Sequence, residues 1–269
     1  MLNHHPQTGW WGKFGADIGQ TLQWEIGPLN LAVRRLANEW QIAFDPNEVV
    51  PDETSSWQHN PTAPDLDTLD YAQMERHTFN ETSESLSVMP ALADRPVIIR
   101  PLTPFYVTPN QDAVIYVSTP LWVRVDVHDP PQFLQEIPVI RPSDTWFGPS
   151  TREGELGYAG RTHGRLNFEN VALQAYRAVT QVIIRNRTGI SLLVERLSLP
   201  VPYLALFESA DGQLWTQTVI MTSTRETGMA NFDIEPHPPG QAGTVKRISE
   251  PRQQSTHNMV IRAFGALFG

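Results

Sequence analysis

One stretch decides the fold class: Thr180-Gln-Val-Ile-Ile-Arg-Asn-Arg-Thr-Gly189 runs directly into Ile190-Ser-Leu-Leu-Val-Glu-Arg-Leu-Ser-Leu199. Both halves are rich in β-branched and apolar residues, and turn residues lie at their junction, which is typical of successive strands. Downstream, Tyr203–Glu208 and Leu214–Met221 flank a short polar segment. Its Asp211-Gly212 pair suits the positive φ angles of a tight hairpin turn. This region therefore predicts a series of strands joined by turns, and it contains no catalytic motif.

The rest of the chain repeats this pattern on both sides. Near the N-terminus, alternating apolar residues predict strands at Leu22–Ile26, Leu29–Arg35 and Asn38–Phe44. From residue 95 onward, short apolar runs recur at roughly ten-residue spacing with turn residues between them, a pattern typical of β-sandwiches. The predicted fold class is all-β: an antiparallel β-sandwich, or two packed β-sandwich units, with an irregular acidic insertion. The predicted division is an N-terminal β unit (1–45), the acidic insertion or linker (46–94) and a main β-sandwich domain (95–269).

The net charge of −9 is concentrated in one segment of the chain. Residues 45–94 hold eleven acidic residues and one basic residue, Arg76, whereas the remainder of the chain is almost neutral. Proline, serine, threonine and asparagine are frequent in this segment, and such a composition favours a loop, a linker or a partly disordered insertion. A short helix is possible over residues 66–76, where apolar residues recur at roughly helical spacing: Leu66, Leu69, Tyr71 and Met74.

The composition argues against several classes of protein. With no cysteine, the chain has no disulfide, no thiolate metal site and no cysteine nucleophile. It has no basic patch or basic amphipathic stretch, which argues against nucleic-acid binding. Met1–Trp11 lacks the basic and apolar regions of a signal peptide, and the apolar runs are far shorter than the ~20 residues that span a bilayer. We therefore expect a cytoplasmic protein with no cofactor and no direct membrane insertion.

The best candidate for a functional surface is the segment from Trp146 to Arg165. Four glycines between residues 154 and 164 let the backbone approach another group closely. The arginines and the histidine of this segment suit contacts to an anion or a carboxylate. The predicted binding residues are Trp146, Arg152, Tyr158, Arg161, His163 and Arg165. The segment lacks the glycine patterns of phosphate-binding loops. The alternative interpretation is a long hairpin loop whose glycines satisfy turn geometry.

Asp126 and His128 form a weaker candidate site. Residues i and i+2 of a strand project on the same side, which suits a pair of metal ligands. The sequence supplies no third ligand, and a position on a sheet surface explains the pair without a metal, so we predict no metal site. The G-x-S-x-G motif of serine hydrolases is absent. We therefore assign no catalytic residue and favour a binding function over an enzymatic one.

Several short motifs after residue 95 resemble those of a known family. Proline-framed strands are followed by Ile137-Pro-Val-Ile-Arg-Pro142 and then by Trp146-Phe-Gly-Pro149, with glycines after it. This order of elements resembles an uncharacterised prokaryotic family, domain of unknown function 432, over most of residues 20–265. The acidic segment is atypical of the family. The resemblance implies a β-rich soluble protein with no assigned activity, often encoded near small-conductance mechanosensitive channels. No catalytic residues are defined for the family, so none are transferred to this chain.

Three functions remain open on this reasoning. The leading hypothesis is a non-enzymatic β-sandwich protein that binds a partner, either the soluble part of a mechanosensitive channel, which the resemblance alone suggests, or a second copy of itself. The second hypothesis is an anion or small-ligand binder, or an enzyme, that uses the segment 146–165. The third is a carbohydrate-binding module, suggested by eight tryptophans, which requires exposed rings in one plane.

Overall fold

The computed structural model describes residues 9–46, 57–129, 131–224, 228–255 and 259–265, with the side chains of Pro46, Arg161 and Thr162 left out. Within these ranges the chain forms strands and four single turns of 3₁₀-helix, and it contains no α-helix. None of the described helical turns is long and apolar enough to cross a bilayer. The prediction of an all-β fold is confirmed.

The strands are numbered in chain order. The first twelve are β1 (Gly12–Gly15), β2 (Thr21–Ile26), β3 (Leu29–Leu36), β4 (Glu39–Pro46), β5 (Trp57–Asn60), β6 (Gln73–Thr78), β7 (Ser85–Ala91), β8 (Val97–Pro101), β9 (Phe105–Val107), β10 (Asp112–Pro120), β11 (Trp122–Val127) and β12 (Gln132–Pro138). The others are β13 (Asp144–Phe147), β14 (Glu155–Gly164), β15 (Arg177–Asn186), β16 (Leu192–Val194), β17 (Arg196–Leu199), β18 (Leu206–Ser209), β19 (Leu214–Thr216), β20 (Val219–Ser223), β21 (Met229–Ile234), β22 (Val245–Ser249), β23 (Met259–Arg262) and β24 (Phe264–Gly265). The 3₁₀ turns are Leu66–Thr68, Phe168–Asn170, Val201–Tyr203 and Gly240–Ala242.

The chain divides into two compact units, each built from separate segments. The first unit comprises Met1–Ala91, Leu121–Arg141 and Gln174–Tyr176, and the second comprises Leu92–Pro120, Pro142–Leu173 and Arg177–Gly269. The first unit includes residues 121–141, which the sequence assigned to the main domain, because β11 pairs with β7 of the N-terminal part. Pairing between distant parts of a chain is not encoded in local sequence patterns.

The first unit contains two antiparallel sheets. One has the order β1-β7-β11-β12 and the other the order β5-β2-β3-β4-β6. The rings of Phe14 on β1 and Trp24 on β2 meet edge to face at 5.0 Å, so residues of the two sheets are in contact. The side chains of Trp10, Trp24 and Trp40 are fully buried in this unit. The strands predicted at residues 22–26, 29–35 and 38–44 are confirmed as β2, β3 and β4.

The described part of the acidic segment is more regular than its composition suggests. It contributes β5, β6 and β7 together with the 3₁₀ turn Leu66–Thr68, where a longer helix was permitted; residues 47–56 lie outside the described ranges. Strand β6 is an edge strand exposed on both faces, so it carries no alternating apolar pattern that the sequence reveals. Asp67 forms an ion pair with Arg34 on β3 at 2.9 Å, and Asp65 also bonds to that guanidinium. Part of the acidic charge is therefore neutralised within the fold.

The second unit contains three sheets. An eight-stranded sheet has the order β22-β18-β19-β15-β20-β21-β23 with β10 also paired to β15, a five-stranded sheet has the order β13-β14-β8-β17-β24, and β16 pairs with β9. Most pairs are antiparallel, but β8 and β14 are parallel, and β15 runs parallel to both β19 and β20. The arrangement of these sheets as a sandwich stays a prediction.

The stretch that decided the fold class lies in the second unit. The predicted hairpin is confirmed: β18 pairs antiparallel with β19, and Gly212 in the turn has a φ of 81°. The strand predicted over residues 214–221 is divided into β19 and β20, which pair with β15 on either side of a break at residues 217–218. The Gln217 side chain in this break accepts a hydrogen bond from the Ala205 N–H at 2.8 Å. The strand predicted over residues 190–199 is likewise divided, into β16 and β17, which belong to different sheets.

Candidate functional site

The segment 146–165 forms a β-hairpin in the five-stranded sheet rather than a long loop. Strands β13 and β14 pair antiparallel, with Trp146 opposite Leu156 and Phe147 opposite Glu155. The turn between them brings two backbones together: a Cβ added at Gly148 would lie 2.0 Å from the Glu153 carbonyl oxygen. This close approach of two backbone segments requires a glycine at position 148.

The predicted binding residues whose side chains the structure describes lie along different parts of the hairpin. Arg152 is exposed in the turn, whereas His163 is exposed near the far end of β14. At ~3.3 Å per residue, these positions are separated by roughly the full length of a ten-residue strand. Arg165 lies beyond β14 and pairs through its backbone with Tyr116 of β10. The side chain of Arg161 lies outside the described residues.

Trp146 and Tyr158 project from the same side of the hairpin. Trp146 is 39% exposed, and its Nε1–H donates to the Ser150 carbonyl at 2.7 Å. Tyr158 is buried, and its hydroxyl donates to Asp94 Oδ1 at 2.9 Å. Burial, and then the hydrogen bond to the Asp94 carboxylate, raise the pKa of Tyr158 to about 12. Tyr158 is therefore a neutral hydrogen-bond donor held within the fold, and it presents no free hydroxyl for a ligand.

His163 belongs to a row of basic side chains that crosses three strands of the five-stranded sheet. His163 on β14 lies directly opposite Arg100 on β8. On the neighbouring strand β17, Ser198 lies opposite Ile98. Arg196 and Arg100 each lie two residues from this pair, so both project from its face of the sheet. Residues that are directly opposite in a sheet project from the same face. His163, Arg100 and Arg196 therefore line one face, and we call them the basic row.

Arg196 is the buried member of the basic row. Arg196 is only 6% exposed, and its Nη2–H donates a hydrogen bond to the Trp146 carbonyl at 2.7 Å. Its Nε is buried with no hydrogen-bond partner, and no carboxylate of the described residues lies within 4.0 Å of its nitrogens. Burial, and then the nearby charge of Arg100, lower the pKa of Arg196. Burial of a cation without a counter-ion lowers the free energy of unfolding, because the desolvation of the charge is not compensated.

The sheet curls so that its two edge strands approach each other over Arg196. The Arg196 guanidinium carbon lies 5.3 Å from the ring centroid of Phe147 on β13, at one edge. A Cβ added at Gly265 on β24, at the other edge, would lie 3.1 Å from the same ring. Phe147 is fully buried by these contacts. Within the basic row, Arg196 is therefore buried, whereas Arg100 and His163 are exposed to solvent.

An acidic residue lies on the same inner face. Glu155 is paired with Phe147 across the hairpin, and its Oε1 accepts a hydrogen bond from Ser198 Oγ at 2.9 Å. Ser198 is buried on β17, two residues from Arg196. Glu155 and Arg196 are not within ion-pair distance of each other, although both project from the inner face of the sheet. The inner face thus carries separated positive and negative groups.

The weaker metal candidate is explained by an ion pair. Arg124 contacts the Asp126 carboxylate through two nitrogens, at 2.8 Å from Nε and 2.8 Å from Nη2. His128 follows the end of β11, and its Nε2 is buried with no hydrogen-bond partner. Within the described ranges, no group of three or more histidine, aspartate or glutamate side chains is arranged to hold a metal. The Asp126 carboxylate is therefore engaged by Arg124.

The tryptophans do not form an exposed platform. All eight lie in the described ranges, and the five buried ones are Trp10, Trp11, Trp24, Trp40 and Trp215. Trp57 and Trp122 are partly buried, and Trp146 alone is exposed. Stacking on a sugar requires rings that are open to solvent, so the number of tryptophans no longer supports a carbohydrate-binding module.

Sequence reasoning did not identify Arg100 and Arg196 as site residues. Each stands in an apolar strand, as in Val97-Ile-Ile-Arg100 and Arg196-Leu-Ser-Leu199. A charged residue at a position that its neighbours mark as buried is the signal that such reasoning can use. That signal identifies each arginine alone, whereas their juxtaposition depends on the pairing of β8 with β17.

Comparison with known proteins places the chain in a family. The sequence model of the family described as "Protein of unknown function (DUF432)" matches residues 10–268. The chain belongs to this family. The resemblance predicted from the motifs after residue 95 is therefore confirmed, and the match also spans the acidic segment that was considered atypical. No curated protein and no solved structure matches the chain. Membership of this family assigns no activity to the chain.

Proposed function

We propose that the protein binds a small anion on the inner face of the five-stranded sheet, with Arg196, Arg100 and His163 as the binding residues. The observation that carries this proposal is the burial of Arg196 without a carboxylate partner. Buried charges in proteins are normally paired, because desolvation of an isolated ion costs several kcal/mol. An anionic ligand would supply the missing counter-charge.

The geometry of the row suits an anion that enters from the exposed end. Arg100 and His163 are exposed, whereas Arg196 is buried beneath Phe147, so a ligand meets two accessible basic groups before it reaches Nε of Arg196. The arginine side chain binds carboxylate and phosphate groups through paired N–H donors, and burial strengthens such bonds. Carboxylates and phosphates share this chemistry, and the first experiment distinguishes them.

The proposal is tested by isothermal titration calorimetry with phosphate, sulfate, acetate and butyrate. The wild type is compared with Arg100→Gln and with Arg152→Gln, which removes the same charge from the exposed turn of the hairpin. We expect at least one anion to bind the wild type, and Arg100→Gln to weaken it about tenfold or more, since a charge-assisted hydrogen bond contributes ~1.5–3 kcal/mol. Arg152→Gln should retain wild-type affinity.

Two results would overturn the proposal. One is that none of the four anions binds the wild type at millimolar concentration. The other is that Arg100→Gln and Arg152→Gln weaken binding equally, because that result indicates general attraction by positive charge or a site in the turn. Circular dichroism of both variants establishes that each is folded before the titrations are compared.

The expectation of a macromolecular partner, either a mechanosensitive channel or a second copy of the chain, remains a proposal that depends on the family resemblance. It is compatible with anion binding, because a small ligand on one sheet leaves the other sheets available.

A further inference from the structure

We infer that the ligand of the basic row is a zwitterion of the amino-acid type, whose carboxylate binds Arg196 and Arg100 and whose ammonium group binds Glu155. This inference rests on the proposed anion site and deepens it. It starts from the position of Glu155, which shares the inner face with Arg196 because Glu155 lies opposite Phe147 and Phe147 packs on the Arg196 guanidinium.

Glu155 is held in place without being neutralised. Its Oε1 accepts the hydrogen bond from the buried Ser198 hydroxyl at 2.9 Å, which orients the carboxylate. Among the described residues, Ser198 is the only side chain that bonds to this carboxylate, and no basic nitrogen lies within 4.0 Å of it. The second oxygen, Oε2, is therefore available to accept a bond from a ligand.

Arg196 and Glu155 have opposite charges and project from the same face of the sheet, and they form no ion pair within 4.0 Å. Ser198 lies two residues from Arg196 along β17, a separation of ~7 Å along a strand. Opposite charges that are free to pair gain by doing so, especially when one of them is buried. Here the strand positions and the Ser198 hydrogen bond hold the two groups apart. A molecule that carries both charges would satisfy both groups at once, whereas a simple anion would place its charge near the Glu155 carboxylate.

The apolar residues on the same face also favour a small organic molecule. Ile98 lies opposite Ser198 on β8, and it projects from the same face as Glu155 and Arg196. Ala159 of β14 lies opposite Ile98 and completes this row. These apolar side chains offer contact to the methylene groups of a ligand and no hydrogen bond to a phosphate.

The test uses three matched pairs of compounds, each differing by one amine: glycine and acetate, β-alanine and propionate, and γ-aminobutyrate and butyrate. Affinities are measured by calorimetry at pH 7, where every amine is protonated. We expect the amine compound of at least one pair to bind the wild type at least tenfold more tightly than its partner. Glu155→Gln should abolish this gain, and it should bind the simple carboxylate at least as tightly as the wild type does, because a nearby negative charge is removed. Glu155→Asp, which retains the charge, should keep part of the gain.

The outcomes separate the two proposals. Equal affinities within every pair, or a gain that persists in Glu155→Gln, would overturn the zwitterion inference. If the simple carboxylates nevertheless bind and Arg100→Gln weakens them, the anion site stands and only this inference fails. If none of the six compounds and neither phosphate nor sulfate binds the wild type, both proposals fail. A measured melting temperature for each variant shows that the protein is folded in every titration.

Discussion

Arg196 on β17 and Arg100 on β8 project from the same face of the five-stranded sheet, and the charge of Arg100 contributes to lowering the pKa of Arg196, so two like charges are neighbours on adjacent strands. Like charges in this position destabilise a sheet. The burial of Arg196 adds to the cost, because its Nε has no partner within the described structure. Proteins commonly retain a destabilising arrangement where function requires it, and a binding site for an anion is one such case.

Replacement of Arg196 should therefore abolish anion binding without lowering the free energy of unfolding. We expect Arg196→Met to have a free energy of unfolding at least equal to that of the wild type, with a gain of ~1 kcal/mol, because removal of a buried charge that has no carboxylate partner outweighs the loss of its hydrogen bond to the Trp146 carbonyl. Anion binding should be lost. The measurements are urea denaturation without ligand and calorimetry with ligand.

Arg177→Met is the matched control for that prediction. Arg177 is also buried in the second unit, but it donates to Ser118 Oγ at 2.9 Å and to the Gly160 carbonyl at 3.3 Å. Its removal leaves buried acceptors unsatisfied, so we expect a loss of ~3 kcal/mol or more. Equal destabilisation by the two substitutions would show that Arg196 is a structural residue.

The turn of the β13–β14 hairpin predicts a second result. We expect Gly148→Ala to destabilise the protein by ~1–3 kcal/mol, because the new Cβ would lie 2.0 Å from the Glu153 carbonyl oxygen and the backbone must shift. Gly189→Ala is the control, since a Cβ at that position meets no atom within 4 Å. Gly189→Ala should change the free energy of unfolding, measured by urea denaturation, by no more than ~0.5 kcal/mol. Similar effects of both substitutions would contradict the close backbone approach at Gly148.

The Tyr158–Asp94 hydrogen bond predicts a change in alkaline titration. Since burial is the first cause of the raised pKa and the Asp94 carboxylate the second, Asp94→Asn should lower the Tyr158 pKa from about 12 part of the way toward 10. The titration is followed by absorbance at ~295 nm as the difference between each protein and its Tyr158→Phe counterpart. An unchanged pKa in Asp94→Asn would show that burial alone is responsible.

The same pKa has a consequence for stability. A group whose pKa is higher in the folded than in the unfolded state stabilises the fold fully below the unfolded value and loses that contribution as pH rises through the folded value. Tyr158 should therefore reduce stability between pH 10 and about 12, and Tyr158→Phe should reduce this loss.

His59 predicts a pH dependence of the opposite kind in the first unit. It lies on β5 and stacks on Trp24 at a ring distance of 4.8 Å, and burial lowers its pKa from the ordinary 6.5. The unfolded chain then binds a proton more readily than the folded chain, so the free energy of unfolding should fall as pH drops below 6.5 until the folded pKa is reached.

The measurement is the urea midpoint of the wild type and of His59→Phe between pH 7.5 and pH 5. The substitution retains the aromatic contacts with Trp24 and Phe14 and removes the titrating group. We expect a smaller loss of stability at low pH in His59→Phe than in the wild type. Identical pH profiles would contradict the burial of a neutral imidazole.

Local patterns in the sequence determined the class of fold and many of its strands. Alternation of apolar residues located β2, β3 and β4, and the Asp211-Gly212 pair located the β18–β19 turn, because both signals arise from neighbours in the chain. The exposed edge strand β6 escaped such reasoning, since a strand with no buried face has no alternating pattern. The motifs after residue 95 were sufficient to indicate the family.

Tertiary structure alone decided where the candidate site lies. The sequence marked residues 146–165 as a binding segment, but pairing in the sheet placed Arg152 and His163 far apart and set His163 beside Arg100 and Arg196. These three residues come from strands that are distant in the chain and run in different directions, so no local spacing relates them. Their approach follows from the parallel pairing of β14 with β8 and the antiparallel pairing of β8 with β17, which only the folded chain defines.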